Sequence, residues 1–165
     1  MEIRPASVED ASGIATVHVA SWRWAYADLL PRDVLDGSLV EDRERMWADV
    51  VPRGGVLVAE EAARVIGFAS VGTVANGDLP GLTGELFAIY IAPEAIGTGL
   101  GRALLSHAME TLRVNGSRRA ILWVLASNAR ARRFYEVAGW ALDGAASAYA
   151  IGGVDYPTVR YATNL

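Results

Sequence analysis

Residues 96–102 read Ile96-Gly97-Thr98-Gly99-Leu100-Gly101-Arg102, a loop with glycine at every second position. The stretch before it, residues 85–91, is apolar after its first residue, as expected of a strand in the middle of a sheet. Leu104, Ala108 and Leu112 follow the loop at helical spacing. Glycines at this junction let a ligand approach the backbone closely, and the amides and dipole of a helix N-terminus favour an anion. We therefore expect main-chain N–H groups between residues 97 and 102 to hold a diphosphate.

Two other phosphate-binding loops do not fit this stretch. A P-loop needs Gly-Lys-Ser/Thr, and the chain contains no lysine. A dinucleotide-binding fold has its glycine motif near the first strand and an acidic residue about 20 positions later. The chain has Ile121-Leu122-Trp123-Val124 there instead. An ordinary glycine-rich turn without a ligand stays as the alternative.

A second pattern lies at the start of the next predicted helix. Asn128, Arg132 and Tyr135 are spaced by four and three residues, so they lie along one edge of a helix. Ala131 and Phe134 point to the core beside that edge. The alternative is that Asn128 only caps the helix and that Tyr135 is only a core residue.

The rest of the chain predicts a single α/β domain over residues 1–165. A strand–helix–strand unit around the glycine loop implies a parallel pair with a right-handed crossover, and the hairpins on either side imply antiparallel edges. We expect a mixed, mostly antiparallel sheet of about seven strands, flanked by helices. The predicted strands are residues 2–4, 56–60, 64–73, 85–91 and 120–125, and two more from Trp140 to Tyr161.

Composition excludes several classes of function. The net charge of −4 argues against a general nucleic-acid binder. With no cysteine, a disulfide, a cysteine metal site and a cysteine acyl-enzyme are all excluded. His107 and Glu110 alone do not make a metal site, so we expect no metal. The chain starts without an apolar leader and has no apolar run near the ~20 residues that span a bilayer, so we expect a cytoplasmic protein without a membrane contact.

Together the two patterns resemble the GNAT superfamily of N-acetyltransferases. Residues 89–105 are similar to its acetyl-CoA-binding motif, and residues 128–140 to its next motif, Asn-x-x-Ala-x-x-Phe-Tyr-x-x-x-Gly-aromatic. The order of elements matches over essentially the whole chain. One position departs from the pattern: Ile96 stands where the family usually has Gln or Arg at the pyrophosphate. Backbone amides and Arg102 would then do that work.

The resemblance implies acetyl-CoA as co-substrate, with its pantetheine arm between the strands at 85–91 and 120–126. Carried over position by position, it implies a set of residues in contact with the cofactor. These are Ile89, Tyr90, Ile91, Ile96, Gly97, Thr98, Gly99, Leu100, Gly101, Arg102, Asn128, Arg132 and Tyr135.

The same resemblance gives catalytic candidates. Tyr135 would protonate the leaving thiolate, and Glu85 would accept a proton from the attacking amine. Glu85 is expected to share its strand face with Ile89 and Ile91. The alternative is that Glu85 only pairs with an arginine. Trp22, Trp24 and Tyr26 would form an aromatic wall for a cationic acceptor, and core packing is the alternative for each of these three side chains.

The expected function is transfer of an acetyl group from acetyl-CoA to a primary amine. Without a cysteine, direct attack in a ternary complex is the natural route. The acceptor is a small-molecule or peptide amine, and a homodimer is neither required nor excluded by the sequence. A CoA-binding sensor without catalysis and a structural partner domain without a cofactor remain as alternatives.

Overall fold

Seven strands form one sheet with five helices around it, within residues 1–74 and 82–165 that the computed structural model describes. The strands are β1 (Glu2–Pro5), β2 (Val56–Glu61), β3 (Arg64–Val74), β4 (Thr83–Ile91), β5 (Arg119–Leu125), β6 (Ala141–Ile151) and β7 (Val154–Asn164). The helices are α1 (Ala11–Ala25), α2 (Arg32–Asp36), α3 (Val40–Val50), α4 (Leu100–Val114) and α5 (Ala129–Val137).

The strand order is β1-β2-β3-β4-β5-β7-β6, with β4 and β5 parallel and the other neighbouring pairs antiparallel. Helix α4 makes the crossover between the parallel strands. The predicted mixed sheet with a parallel pair in its middle is therefore confirmed.

The parallel pair separates soon after it forms. Residues Thr83, Gly84 and Glu85 pair with residues 119–121, and no described pairing joins the strands beyond Glu85. Strand β4 nevertheless continues to Ile91. Beyond Glu85 the two strands diverge and no longer hydrogen-bond to each other. The space between them is a cleft whose walls are β4 and β5.

A β-bulge lies in β4 at the start of the cleft. Ser70 of β3 pairs with Ala88, whereas the next residue, Val71, pairs with Leu86. Phe87 is therefore the extra residue of the bulge, and it is 54% exposed. A bulge of this kind interrupts the alternation of side chains along the strand.

The bulge shows that one expectation about Glu85 is wrong. Leu86, Ile89 and Ile91 all pack into the core cluster that contains α4, although strict alternation would put Leu86 opposite the other two. Glu85, the neighbour of Leu86, is thus on the face with Tyr90, which packs against the α1 and α3 side. Glu85 does not share a face with Ile89 and Ile91.

The two faces of the sheet are covered by different helices. On one face α4 buries Leu104, Ala108 and Leu112 completely, as their spacing predicted. On the other face α1 and α3 pack around Phe68 through residues such as Ile14. A smaller cluster, Leu30, Leu35, Leu125 and Ile151, fixes the end of α1 against β5 and β6.

Candidate active site

The glycine loop has the backbone shape that the sequence predicted. Gly97 and Gly99 have φ values of 86° and 90°, in the left-handed region that disfavours other residues. A β-carbon added at either position would meet no atom within 4 Å, so this side of the loop is open. Gly99 is the N-cap of α4, and the loop passes directly into that helix.

Most amides of the loop are free to bind a ligand. The first helical bonds run from the amides of Arg102 and Ala103 to the carbonyl of Gly99, at 3.1 and 3.2 Å. Among the described residues, the amides of 97–101 have no backbone acceptor. The amide of Arg102 is therefore already used, while its side chain is exposed. The arrangement offers a row of donors at the positive end of a helix dipole.

A cavity of about 560 Å³ occupies the cleft between β4 and β5. This volume lies in the range of small-molecule sites. Of the candidate site residues, the cavity brings together Trp22, Trp24, Tyr26, Glu85, Ile89, Tyr90, Ile91, Ile96, Asn128 and Tyr135.

Tyr135 is buried in the wall of this cavity. Its ring packs against Phe134 and Trp140, with centroids 5.2 and 6.1 Å away. Burial, with a smaller contribution from Tyr26, raises the pKa of Tyr135 well above its usual value. Its hydroxyl makes no hydrogen bond to any described side chain or backbone group. A phenol in this state stays protonated at neutral pH and can donate its proton.

Glu85 is half-buried at the point where the two strands separate. Burial raises the pKa of its carboxyl, and the charge of Arg160 opposes the rise. Arg160 itself pairs with Asp143 at 2.8 Å. Glu85 makes no ion pair with a described residue. Because the charge of Arg160 nevertheless acts on Glu85, the alternative in which this carboxyl only pairs with an arginine stays open.

A polar cluster links α1, β4 and α5 inside the cavity. The phenol of Tyr26 interacts with Tyr90 and Asn128, and burial raises the pKa of both tyrosines. The side-chain oxygen of Asn128 accepts a hydrogen bond from the amide of Ala131 at 3.0 Å. Asn128 is thus a helix cap, as its alternative interpretation held, and it also lines the cavity.

The aromatic residues of α1 have different surroundings. Trp22 and Tyr26 contact each other, with ring centroids 4.4 Å apart, and pack on the small cluster near β6. The indole nitrogen of Trp22 is buried and has no hydrogen-bond partner among the described residues. Trp24 is 44% exposed, and the guanidinium of Arg130 lies 4.0 Å from its ring centroid. Trp24 therefore already carries a cation on its ring.

The structure does not bring Arg132 into the cavity. Its guanidinium donates to the carbonyl of Ala126 at 3.0 Å and to the hydroxyl of Tyr161 at 3.1 Å. Tyr161 in turn donates to Glu136 at 2.7 Å. Arg132 thus ties α5 to β7 and to the residue after β5. It does not line the cavity, and its contact with the cofactor stays a prediction.

Three aromatic residues of the cavity were missed by sequence reasoning. Phe87, Trp123 and Tyr149 line it, from β4, β5 and β6. Trp123 lies in a continuous apolar run that gives no sign of which side chain faces a ligand. Tyr149 comes from an edge strand whose position depends on long-range pairing with β7. A local motif could not have identified Tyr149.

The histidines have no described role at the site. His18 accepts a hydrogen bond from the indole of Trp47 at 3.1 Å, and its burial lowers its pKa to about 4. In the described part of the chain, no three His, Asp or Glu residues are grouped as metal ligands would be. Nor is any helix there long and apolar enough to cross a membrane.

Comparison with known proteins places this site in a family. The sequence model of the acetyltransferase (GNAT) family matches residues 17–140. An uncharacterized N-acetyltransferase of Bacillus subtilis is 36% identical over 76% of this chain and 72% of its own length. A spermidine N(1)-acetyltransferase of Thermoplasma acidophilum is 25% identical over 87% of this chain and 89% of its own.

A solved structure shows the same fold. The PaiA N-acetyltransferase of Thermoplasma acidophilum, in complex with coenzyme A, superposes with a TM-score of 0.79. The match covers 99% of this chain and 98% of that one, at 23% identity. With a family match over most of its length and a parallel pair that opens beside a glycine loop, this chain belongs to the GNAT family of N-acetyltransferases.

Proposed function

We propose that this protein transfers an acetyl group from acetyl-CoA to a primary amine, by direct attack in a ternary complex. The observation that carries the proposal is the cleft between β4 and β5, where Glu85 and Tyr135 line one cavity close to a loop of free amides. A proton acceptor and a proton donor in one cavity are what this reaction requires.

The residues present fit the cofactor. The free amides of residues 97–101 would hold the pyrophosphate, with the exposed side chain of Arg102 beside them. The main chain of Ile89, Tyr90 and Ile91 borders the cleft without a partner in β5, which would let a pantetheine arm pair with it. The carbonyl of Ile91 already accepts a hydrogen bond from the hydroxyl of Ser21 at 2.7 Å, so the free groups at that end are fewer. Ile96 lines the cavity near the loop and contributes apolar surface in place of the usual Gln or Arg.

When bound, acetyl-CoA supplies the thioester carbonyl that the amine attacks. Glu85 takes a proton from the ammonium, which frees the nitrogen lone pair. The new carbon–nitrogen bond forms as the carbon–sulfur bond breaks. Tyr135 would give its proton to the sulfur, so that coenzyme A leaves as a thiol, and the second proton of the nitrogen, released as the amide forms, would restore the phenol. A carboxyl with a raised pKa is a stronger base than an ordinary one, and a buried phenol holds its proton until the thiolate develops.

One relative supports the acceptor class. The spermidine acetyltransferase among them has a small amine as its named substrate, which favours a small-molecule acceptor here. A CoA-binding sensor is the second candidate, and the presence of Glu85 and Tyr135 in one cavity weighs against it. A homodimer, the absence of a nucleic-acid partner and a cytoplasmic location stay predictions.

Initial-rate kinetics test the mechanism. The acetylation rate is measured while acetyl-CoA and an amine are each varied. A ternary complex gives double-reciprocal lines that intersect. Parallel lines would indicate an acetylated enzyme and contradict direct attack. Tight acetyl-CoA binding without turnover of any amine would favour the sensor.

A further inference from the structure

Five aromatic side chains and one carboxyl group form a distinct part of the cavity lining. We call it the acceptor end and define it by six residues. They are Trp22, Tyr26, Glu85, Phe87, Trp123 and Tyr149.

Aromatic rings dominate the acceptor end. Trp22 and Tyr26 come from α1, Phe87 from β4, Trp123 from β5 and Tyr149 from β6. Phe87 is 54% exposed and Tyr149 is 62% exposed. Large aromatic side chains that converge on a cavity and stay exposed are typical of surfaces that a ligand covers. The bulge in β4 turns the side chain of Phe87 toward the acceptor end, away from the hydrophobic cluster that contains α4.

The charge at the acceptor end is small. Among the described residues that line the cavity, Glu85 is the one carboxyl group, and none is arginine. One carboxylate can partner one ammonium. A second ammonium, as in a polyamine, would lose water in this cavity without a partner. A substrate carboxylate, as in an amino acid, would be repelled by Glu85. The guanidinium of Arg160 lies 5.5 Å from the ring centroid of Trp123, but Arg160 does not line the cavity and it already pairs with Asp143.

We infer that the acceptor is a primary monoamine carried on an aromatic body, with its ammonium at Glu85 and its ring between Phe87, Trp123 and Tyr149. This substrate class rests on the proposed acetyltransferase function and differs from the polyamine named for one relative. The aromatic rings of the cavity contact the apolar body of the substrate, and the single carboxylate of Glu85 favours a substrate with one ammonium group.

A substrate series tests the inference directly. The amines are 2-phenylethylamine, ethylamine, spermidine and phenylalanine, which vary the ring, the number of ammonium groups and the carboxylate. The kcat/KM for 2-phenylethylamine is expected to exceed that for each of the others by at least about tenfold. A kcat/KM for spermidine or phenylalanine equal to or above that for 2-phenylethylamine overturns the inference and leaves the acetyltransferase function intact.

Two variants of β6 show whether the ring is recognised where we place it. Tyr149→Ala removes an aromatic side chain of the acceptor end. Leu142→Ala is the control, because Leu142 is 50% exposed on the same strand and does not line the cavity. The ratio of kcat/KM for 2-phenylethylamine to that for ethylamine is expected to fall several-fold, up to about tenfold, in Tyr149→Ala and to stay unchanged in Leu142→Ala.

An unchanged ratio in Tyr149→Ala contradicts the placement of the ring. Absence of turnover with every amine has a different meaning, because it contradicts the proposed function and the inference with it. Acetyl-CoA titration of the same preparation shows whether the cofactor site has survived, so that the two failures are told apart.

Discussion

Burial has the same direction of effect on Tyr135 and Glu85 but different consequences for their chemistry. Removing a group from water disfavours its charged form, so the pKa of each rises. For Tyr135 this keeps the proton in place at neutral pH. For Glu85 the raised pKa makes the carboxylate a stronger base, so that it accepts a proton from an ammonium more readily. In the proposed mechanism, burial therefore suits Tyr135 to act as the acid and Glu85 to act as the base.

Tyr135→Phe tests the acid. Only the hydroxyl is lost, so the ring packing and the cofactor contacts should stay. We expect kcat to fall by roughly 10²-fold with little change in either KM. Tyr156→Phe is the control, since Tyr156 packs on the small cluster and does not line the cavity. A wild-type kcat in Tyr135→Phe would remove this phenol from the mechanism.

Glu85→Gln tests the base. Since Glu85 must be ionised to accept a proton, the rate should decline as the pH falls through its raised pKa. The variant should lack this acidic limb and should turn over roughly 10²-fold more slowly at neutral pH. The measurement is kcat/KM against pH for both proteins. An acidic limb that persists in Glu85→Gln would assign the base to another group.

At the scale of elements, an ion-pair network joins β1, β2 and the start of α1. Both terminal nitrogens of Arg4 contact the carboxylate of Asp10, at 2.7 and 2.8 Å, and Arg4 also contacts Glu60. The hydrogen bonds from Arg4 are the main cause that lowers the pKa of Asp10 to about 2. The side chain of Asp10 is only 10% exposed, so solvent screens this pair less than it screens an ordinary surface pair.

Asp10→Asn should change the acid stability of the fold. Because the folded-state pKa lies below the unfolded one, the network stabilises the protein above about pH 4, and this is lost as the pH falls from about 4 to about 2. We expect the variant to lose on the order of 1–2 kcal/mol of unfolding free energy at pH 7. The difference from wild type should shrink toward pH 2.

Denaturant unfolding at several pH values measures this. Asp33→Asn, a change at an exposed carboxyl in the first turn of α2, is the matched control. A stability deficit of Asp10→Asn that is independent of pH would contradict the role of the ion pair.

Local patterns predicted most elements, because periodicity and glycine positions act over a few residues. The alternating glycines predicted the start of α4, where positive φ values leave few alternatives to glycine. Spacing alone predicted the buried face of α4. The bulge at Phe87 could not be predicted, since it depends on the register between β3 and β4, and Glu85 was assigned to the wrong face as a result. The hydrogen bond from Arg132 to Tyr161 could not be predicted either, because Tyr161 lies on a strand that is distant in the sequence.

At the scale of the whole molecule, the site exists because a seven-stranded sheet is paired everywhere except at its centre. The hydrophobic clusters on the two faces of the sheet hold β4 and β5 in position. This packing keeps the two strands apart where they diverge. Helix α4 fixes the loop at one end of this gap through its fully buried leucines. The edge strand β6 and the end of α1 close the other end. The mixed sheet with a parallel pair in its middle was predictable, but Phe87, Trp123 and Tyr149 in the wall of the cleft were not.

The central claim is that the free amides of residues 97–101 hold the cofactor pyrophosphate, and calorimetric titration with acetyl-CoA tests it most directly. Gly99→Glu puts a carboxylate on the open side of the loop. Gly54→Glu is the matched control, with φ of 83° and equally open space. We expect the affinity for acetyl-CoA to fall at least about 100-fold in Gly99→Glu, because of repulsion at the helix N-terminus, and to stay at the wild-type value in Gly54→Glu. Wild-type affinity in a folded Gly99→Glu protein would contradict the account.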